Sequence, residues 1–522
     1  MKRFMAVFFA LLMIAVLLPS EVLAAPPDNY NLEIDASKVS DNIIVMITNK
    51  NKFVINDIAV SINTEGKNAT VEIGSIAAGA TWRLGETPVD YKNFVQAAYY
   101  EGYPNTDIYA HDHARVSPDI DPDSAWEKTI TKQFPDLDAS VTVKFVKRGP
   151  RLMYSGHSFT GYWDSSYYYF LQLAKEGGWN AQIAYSYWGG TGIKYHGGIL
   201  ERPGTYKDDQ LKPFDQNKAV FDANEYYDYY SVAGNTDEGV TTVDGSQNDA
   251  SQYTQRTDML AGAKVLYDIV KEKNPRTRMI LWSTRGYKYG FYYDMGRKPS
   301  LNAKDTKVGE VVQIDTDNDG IVDTEYTKML SSRGHAHVNA NWYEDMAQQI
   351  HADDPTGIAP IVAHVGTAYD WINTYHPEID PYLTPDTQGG DYAHQNNIGN
   401  YIAACVYYAL IFGESPEGLS VPKTNTTDPT VSFVTDRQAK IIQEAAWKVV
   451  SGQYVLAAKP FGEDERNPEP SAPKKIEPEN GGQKSSSSGG CDADFGRASL
   501  SVFVSSALAY RAILHRSSKR RV

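Results

Sequence analysis

The spacing of apolar residues changes character once along the chain. Between Tyr30 and Lys147, short β-branched runs alternate with polar turns: NIIVMIT from Asn42, FVINDIAVSI from Phe53, ATVEIGSI from Ala69 and VTVKFV from Val141. Alternation with a period of two gives a strand one buried face, and several such strands in succession predict a small β-sandwich. A longer irregular insertion, about 90–138, interrupts the run. Residues 26–148 therefore read as an all-β accessory module, either a spacer or a surface for carbohydrate or a partner.

From Arg151 onward, short apolar runs alternate with longer amphipathic ones. The run Leu152 to Tyr154 ends at Gly156; Ser158 follows, and then a helix-length segment, SSYYYFLQLAKEGG. The strand-like AQIAYSYW leads into Gly189 and Gly190, and YDYYSV (Tyr227 to Val232) into Gly234 and Asn235. A helix from about Ser251 to Glu272 precedes RMILWST; IAPIVAHVG from Ile358 is a further strand, and IAACVYYALIFG a buried helix. Strands alternating with helices predict an α/β domain, here 149–460, whose parallel sheet is covered on both faces. Working residues in such sheets gather at the carboxyl ends of the strands.

An insertion at about 286–340 contains DTDNDGIVD. Asp315, Asp317, Asp319 and Asp323 stand at positions 1, 3, 5 and 9 of a calcium-binding loop, with Gly320 at position 6. Position 12 is Tyr326 in place of the usual Glu, so a structural calcium and an acidic hairpin turn both fit.

The two ends carry addresses. Lys2 and Arg3 precede an apolar run from Phe4 to Leu18, with Val22 and Ala24 at cleavage-site spacing. Residues 1–25 thus read as a secretory signal peptide cut after Ala24 or Ala25, an uncleaved anchor being the alternative. Residues 461–490 are rich in Pro, Ser, Gly and charge, the composition of a flexible linker. Residues 491–522 begin at Cys491, straight after Gly489 and Gly490, and run through a short apolar stretch into HRSSKRRV. This order resembles the C-terminal sorting signals of some Gram-negative bacteria, which implies export and attachment at the outer membrane or cell surface; an amphipathic tail is the other reading. Cys405 lies in an apolar helical run, unlike Cys491, so no disulfide is expected between them.

A net charge of -15 and a pI near 5.2 exclude nucleic acid as a partner, since phosphate binding calls for a basic patch. A neutral or weakly charged substrate suits this balance.

The chemistry is carried by residues far apart in sequence. Ser158, presented where a strand turns into a helix, is either a helix cap or a nucleophile. The stretch GDYAHQNNIGNY places Asp391 and His394 three residues apart at the approach to a helix, so a carboxylate can orient an imidazole that takes the serine proton. Together these residues resemble the SGNH, or GDSL-type, hydrolases, which carry a Gly-x-Ser after the first strand, here Gly156-His157-Ser158, and an Asp-x-x-His before the last helix, here Asp391 to His394. The resemblance covers about three fifths of the chain.

It implies a flavodoxin-like three-layer fold and ester hydrolysis through an acyl-enzyme, with no cofactor for catalysis. It also implies an oxyanion hole from the N–H groups of Ser158 and Gly190 and the side chain of Asn235. Here the sequence departs from the family's Gly-x-Asn-Asp turn: Gly234-Asn235-Thr236-Asp237 has its Asn one place early, and the Ser246-Gln247-Asn248 stretch is a second candidate. His196, which closes the glycine-rich segment after Gly190, is expected to be structural.

Two histidine pairs, His111/His113 and His335/His337, have the spacing that puts both rings on one face of a strand, where zinc is an option. The tyrosine-rich SSYYYF and EYYDYY suit either packing or stacking on sugar rings. The expected function is an exported serine esterase acting on a small-molecule or polysaccharide ester, a carbohydrate O-acetyl ester first. The alternatives are a catalytically silent glycan-binding domain of the same fold and a structural surface protein.

Overall fold

The computed structural model describes residues 32–40, 42–51, 53–87, 98–100, 103–106, 127–146, 149–161, 166–179, 181–201, 206, 210–223, 226–235, 250–292, 310–314, 324–383, 393–421 and 434–456. The expected signal peptide, linker and tail lie outside them, as do residues 315–323 of the expected calcium loop and Asp391, Asn248, His111, His113 and Cys491. The chain divides into two compact units, one of residues 1–90 and 127–147, the other of residues 91–126 and 148–522.

The first unit contains two antiparallel sheets. One joins β1 (Leu32–Val39), β2 (Asn42–Asn49) and β5 (Thr81–Arg83); the other has the order β4 (Lys67–Ile76), β3 (Ile55–Thr64), β9 (Ala139–Val146), β8 (Glu127–Phe134). Alternate residues Ile58, Val60 and Ile62 on β3, and Val141, Val143 and Phe145 on β9, are buried, as their period of two requires.

In the second unit a seven-stranded sheet has the order β17 (Ile361–Ala363), β13 (Arg278–Trp282), β12 (Tyr229–Ala233), β10 (Arg151–Gly156), β11 (Gln182–Tyr187), β6 (Ala98–Tyr100), β7 (Tyr103–Thr106). Every neighbouring pair is parallel except β6 with β7. From Arg151 on, the first strand is β10 and the spatial order is second, first, third, fourth, fifth, the flavodoxin-like doubly wound order. The edge pair β6 and β7 corrects the sequence reading, which placed this segment in the β module. Its short, tyrosine-rich runs carry no period that distinguishes an edge of one sheet from a strand of another.

Each central strand is buried on both faces. On one face Met153, Ala184, Tyr230, Val232, Met279 and Leu281 share a core with α4 (Pro213–Ala223), α5 (Ala250–Lys273) and α6 (Ser332–Asp353). On the other, Tyr154, Trp282 and Tyr407 form a triangle with ring centroids 5.2–5.8 Å apart. Tyr407 belongs to α8 (Asn397–Phe412), which packs beside α2 (Ser166–Glu176). The result is a three-layer α/β/α unit. Shorter or later helices are α1 (Ser158–Gly161), α3 (Ile193–His196), α7 (Val365–Tyr375) and α9 (Asp436–Val450). The insertion holds a small antiparallel sheet of β14 (Phe291–Tyr292), β16 (Thr324–Leu330) and β15 (Val311–Ile314), and it ends earlier than the sequence suggested because α6 already starts at Ser332.

α6 also overturns the zinc reading of His335 and His337. On a helix, residues two apart point in different directions. His335 instead packs its ring against Tyr287, at 5.0 Å, and its Nδ1 accepts from the Tyr287 N–H at 3.3 Å. Among the described residues no group of three or more metal-ligating side chains is assembled. The described tyrosines of the two rich patches are mostly core: Tyr168, Tyr169, Tyr226, Tyr227, Tyr229 and Tyr230 are all buried. Cys405 is a free, fully buried thiol. Among the described residues no helix is long and apolar enough to cross a membrane.

Candidate active site

Parallel strands deliver their carboxyl ends to one edge of the sheet. The loops leaving β10, β11, β12 and β13 carry Ser158, Gly190, Asn235 and Arg285 respectively. Ser158 opens α1, two residues past the central strand. The turn is tight because Gly156 has no side chain: a Cβ there would stand 2.1 Å from Thr160 Oγ1. Thr160 in turn closes the loop on itself. Its hydroxyl donates to the His157 carbonyl at 2.9 Å, and the His157 N–H donates to that hydroxyl at 3.1 Å.

Ser158 is largely buried, with 8% exposure. His394 Nε2 lies 2.8 Å from Ser158 Oγ, so residues 236 positions apart share one hydrogen bond. With Nε2 accepting the serine proton, Nδ1 carries the ring hydrogen and is the atom a carboxylate would hold. Asp391, expected there, lies outside the described residues. The imidazole and the Phe159 ring make a T-shaped contact, with centroids 4.9 Å apart.

The segment bearing His394 is pinned from behind. The Leu383 N–H donates to the His394 carbonyl (2.9 Å) and the Asn396 N–H to the Pro381 carbonyl (3.1 Å), while the Asn396 side chain caps α8 by accepting from the Gly399 N–H (3.2 Å). Gln395 points the other way and donates to the Ser158 carbonyl at 2.9 Å.

The two expected oxyanion loops are also tied to the serine turn. The Trp188 N–H donates to the Gly156 carbonyl at 3.0 Å, placing Gly189 and Gly190 beside it. Gly190 has φ +66°, a left-handed turn that glycine adopts without strain. Next to Asn235, the Gly234 peptide is held on both sides: its carbonyl pairs with His157 Nε2 at 3.0 Å, and its N–H donates to the Tyr343 hydroxyl at 3.1 Å.

Burial holds His157 neutral, its pKa depressed to about 3 against the opposing pull of the Gly234 carbonyl. Burial likewise depresses His196 to about 4. His196 sits in a relay whose directions are consistent throughout. Tyr230 donates to Ser155, Ser155 to Asn217 Oδ1, Asn217 Nδ2 to His196 Nδ1, His196 Nε2–H to Thr191, and the Thr191 hydroxyl to the Trp188 carbonyl, over 2.7–3.1 Å steps. This relay ties Thr191, next to Gly190, through His196 to Asn217 of α4 and Ser155 of β10.

Sequence reading missed Arg285, Gln395, Thr160 and Asn217. Only their positions mark them: Arg285 follows an apolar strand, and Gln395 is the residue next to the histidine.

No protein-family model matches the chain, and no curated protein matches it. Solved structures that align with it include a DUF4886 family protein from Bacteroides uniformis, at 15% identity and TM-score 0.36, covering 57% of this chain and 94% of that one. A GDSL-like lipase from Parabacteroides merdae aligns at 10% identity and TM-score 0.28, covering 51% and 97%. A family two carbohydrate esterase from Clostridium thermocellum aligns at 10% identity and TM-score 0.24, covering 72% and 96%.

Proposed function

We propose that this chain is an exported serine ester hydrolase that works through an acyl-enzyme, with an O-acetylated polysaccharide as its leading substrate class. The observation that carries the reading is the 2.8 Å contact between Ser158 Oγ and His394 Nε2 at the carboxyl edge of the central strand. A nucleophile and a base within hydrogen-bond reach meet the first geometric requirement of acyl transfer.

In the proposed reaction Ser158 Oγ bonds to the ester carbonyl carbon while its proton passes to His394 Nε2. The carbonyl π pair moves onto oxygen, where the N–H groups of Ser158 and Gly190 and the Asn235 amide are assigned to receive it. Collapse of this intermediate breaks the bond to the alcohol, which leaves with the proton from His394. Water then gives a proton to His394 and attacks the acyl carbon, and Ser158 departs with that proton restored. Asp391 is assigned to hold Nδ1–H. None of these steps calls on a metal or an organic cofactor.

The substrate class is supported by the address alone. A secretory signal and a Gly489-Gly490-Cys491 sorting-type tail would place the enzyme at the surface of a Gram-negative-type cell. Tyrosine stacking lends it little support, since most of those rings are spent on the core.

Release of acetate from acetylated xylan and from p-nitrophenyl acetate tests the proposal. The wild type is expected to release it from both, and Ser158→Ala to lose at least about 10³-fold in turnover. An inert wild type would sink the reading, and binding of acetylated glycan without turnover would put the silent-domain alternative in its place.

A further inference from the structure

We propose that Arg285 and Gln395 form a clamp that sets the distance between the nucleophile and its base, acting as positioning residues that touch no substrate. The inference rests on the serine-hydrolase reading above.

Arg285 is 1% exposed, just past the end of β13, and its environment is unusual for a charge. One guanidinium nitrogen, Nη2, donates both to the Ala393 carbonyl at 2.5 Å and to Gln395 Oε1 at 2.8 Å. Those acceptors flank His394 on either side. Gln395 then passes the connection on, since its Nε2 donates to the Ser158 carbonyl at 2.9 Å. The guanidinium also lies 4.4 Å from the centre of the Phe159 ring and 5.4 Å from that of Tyr369. Phe159 follows the serine directly, and its ring makes a T-shaped contact with the His394 ring.

One cation therefore contacts residues on both sides of the base and the residue after the nucleophile. The amide of Gln395 bridges the gap with a fixed polarity: its oxygen faces the cation and its nitrogen faces the serine carbonyl. Burying a guanidinium is costly; the two hydrogen bonds from Nη2 and two aromatic faces offset part of that cost, while the buried Nε has no hydrogen-bond partner among the described residues. A displacement of the base by about 1 Å can cost on the order of 10²-fold in rate.

The test measures turnover of p-nitrophenyl acetate in Gln395→Met, Arg285→Met, the double variant and Arg285→Lys, with active sites counted by exhaustive fluorophosphonate labelling. Turnover per counted site is expected to fall about 10- to 100-fold in either single variant, with KM within about twofold. Because both residues belong to one connected path, the double variant should lose little beyond the worse single one. Arg285→Lys, which keeps the charge and one donor, should recover part of the loss.

A purely structural role would lower the number of counted sites and leave turnover per site alone; that result overturns the clamp. So do single losses that multiply in the double variant, or losses confined to KM. Gln395→Met leaves the buried guanidinium in place and keeps the test readable where an Arg285 variant does not fold. A wild type that neither labels nor turns over would instead remove the hydrolase reading itself.

Discussion

Two buried imidazoles beside the site make the α/β unit acid-sensitive in a way that can be calculated. His157 and His196 ordinarily titrate near 6.5, and burial lowers them to about 3 and about 4 in the folded chain. As pH falls below 6.5, the unfolded chain takes up protons that the folded chain refuses, so folding stability declines with acid. The decline from His196 ends near pH 4 and that from His157 near pH 3, where the folded groups also protonate.

Between pH 6.5 and pH 5 each group costs about 1.4 kcal/mol per pH unit, which gives about 2 kcal/mol apiece and about 4 kcal/mol together. The assay is urea unfolding followed by the emission of the unit's buried tryptophans, including Trp179 and Trp282, at pH 7 and pH 5. Carboxylates titrate in the same direction, so the informative quantity is the stability gap between wild type and a single variant, His157→Gln or His196→Gln. Each gap should shrink by about 2 kcal/mol from pH 7 to pH 5, because the variant has no proton to take up. A gap independent of pH would refute the claim that these rings are held neutral by burial.

Gly156→Ala should cost about 2–4 kcal/mol in the same urea assay, since the new methyl can fit only if the Thr160 hydroxyl leaves its bonds to His157 and Tyr185. In Thr160→Ala the obstructing oxygen is gone, so adding Gly156→Ala should cost little more; fully additive losses would contradict the steric account. The Asp315, Asp317, Asp319 and Asp323 loop is expected to give a calcium-binding heat by calorimetry that disappears in Asp315→Ala. A flat trace for the intact chain would remove that site.

The parallel sheet was legible because both its faces are buried, leaving continuous apolar runs such as Leu152 to Tyr154 and Met279 to Trp282 between helix-length segments. The serine and histidine were legible because each sits at a strand-to-helix or loop-to-helix junction, where small and polar residues stand out against apolar flanks. What failed did so for physical reasons. β6 and β7 are three and four residues long, too short for a period to form. α6 hides its apolar stripe, Ala336, Ala340, Tyr343, Ala347 and Ile350, among His335, His337 and Asn339, which are themselves buried. Arg285 was invisible because a buried arginine is recognised by its partners, Ala393 and Gln395, which lie over a hundred residues away.

The most direct test is fluorophosphonate labelling of the wild type, Ser158→Ala and His394→Gln, with the adduct located by peptide mass spectrometry. Phosphonylation should fall on the peptide that contains Ser158, be absent from Ser158→Ala, and slow by about 10³-fold in His394→Gln, which keeps the shape and loses the base. An unlabelled wild type, or a serine that reacts equally fast without the imidazole, would contradict the account.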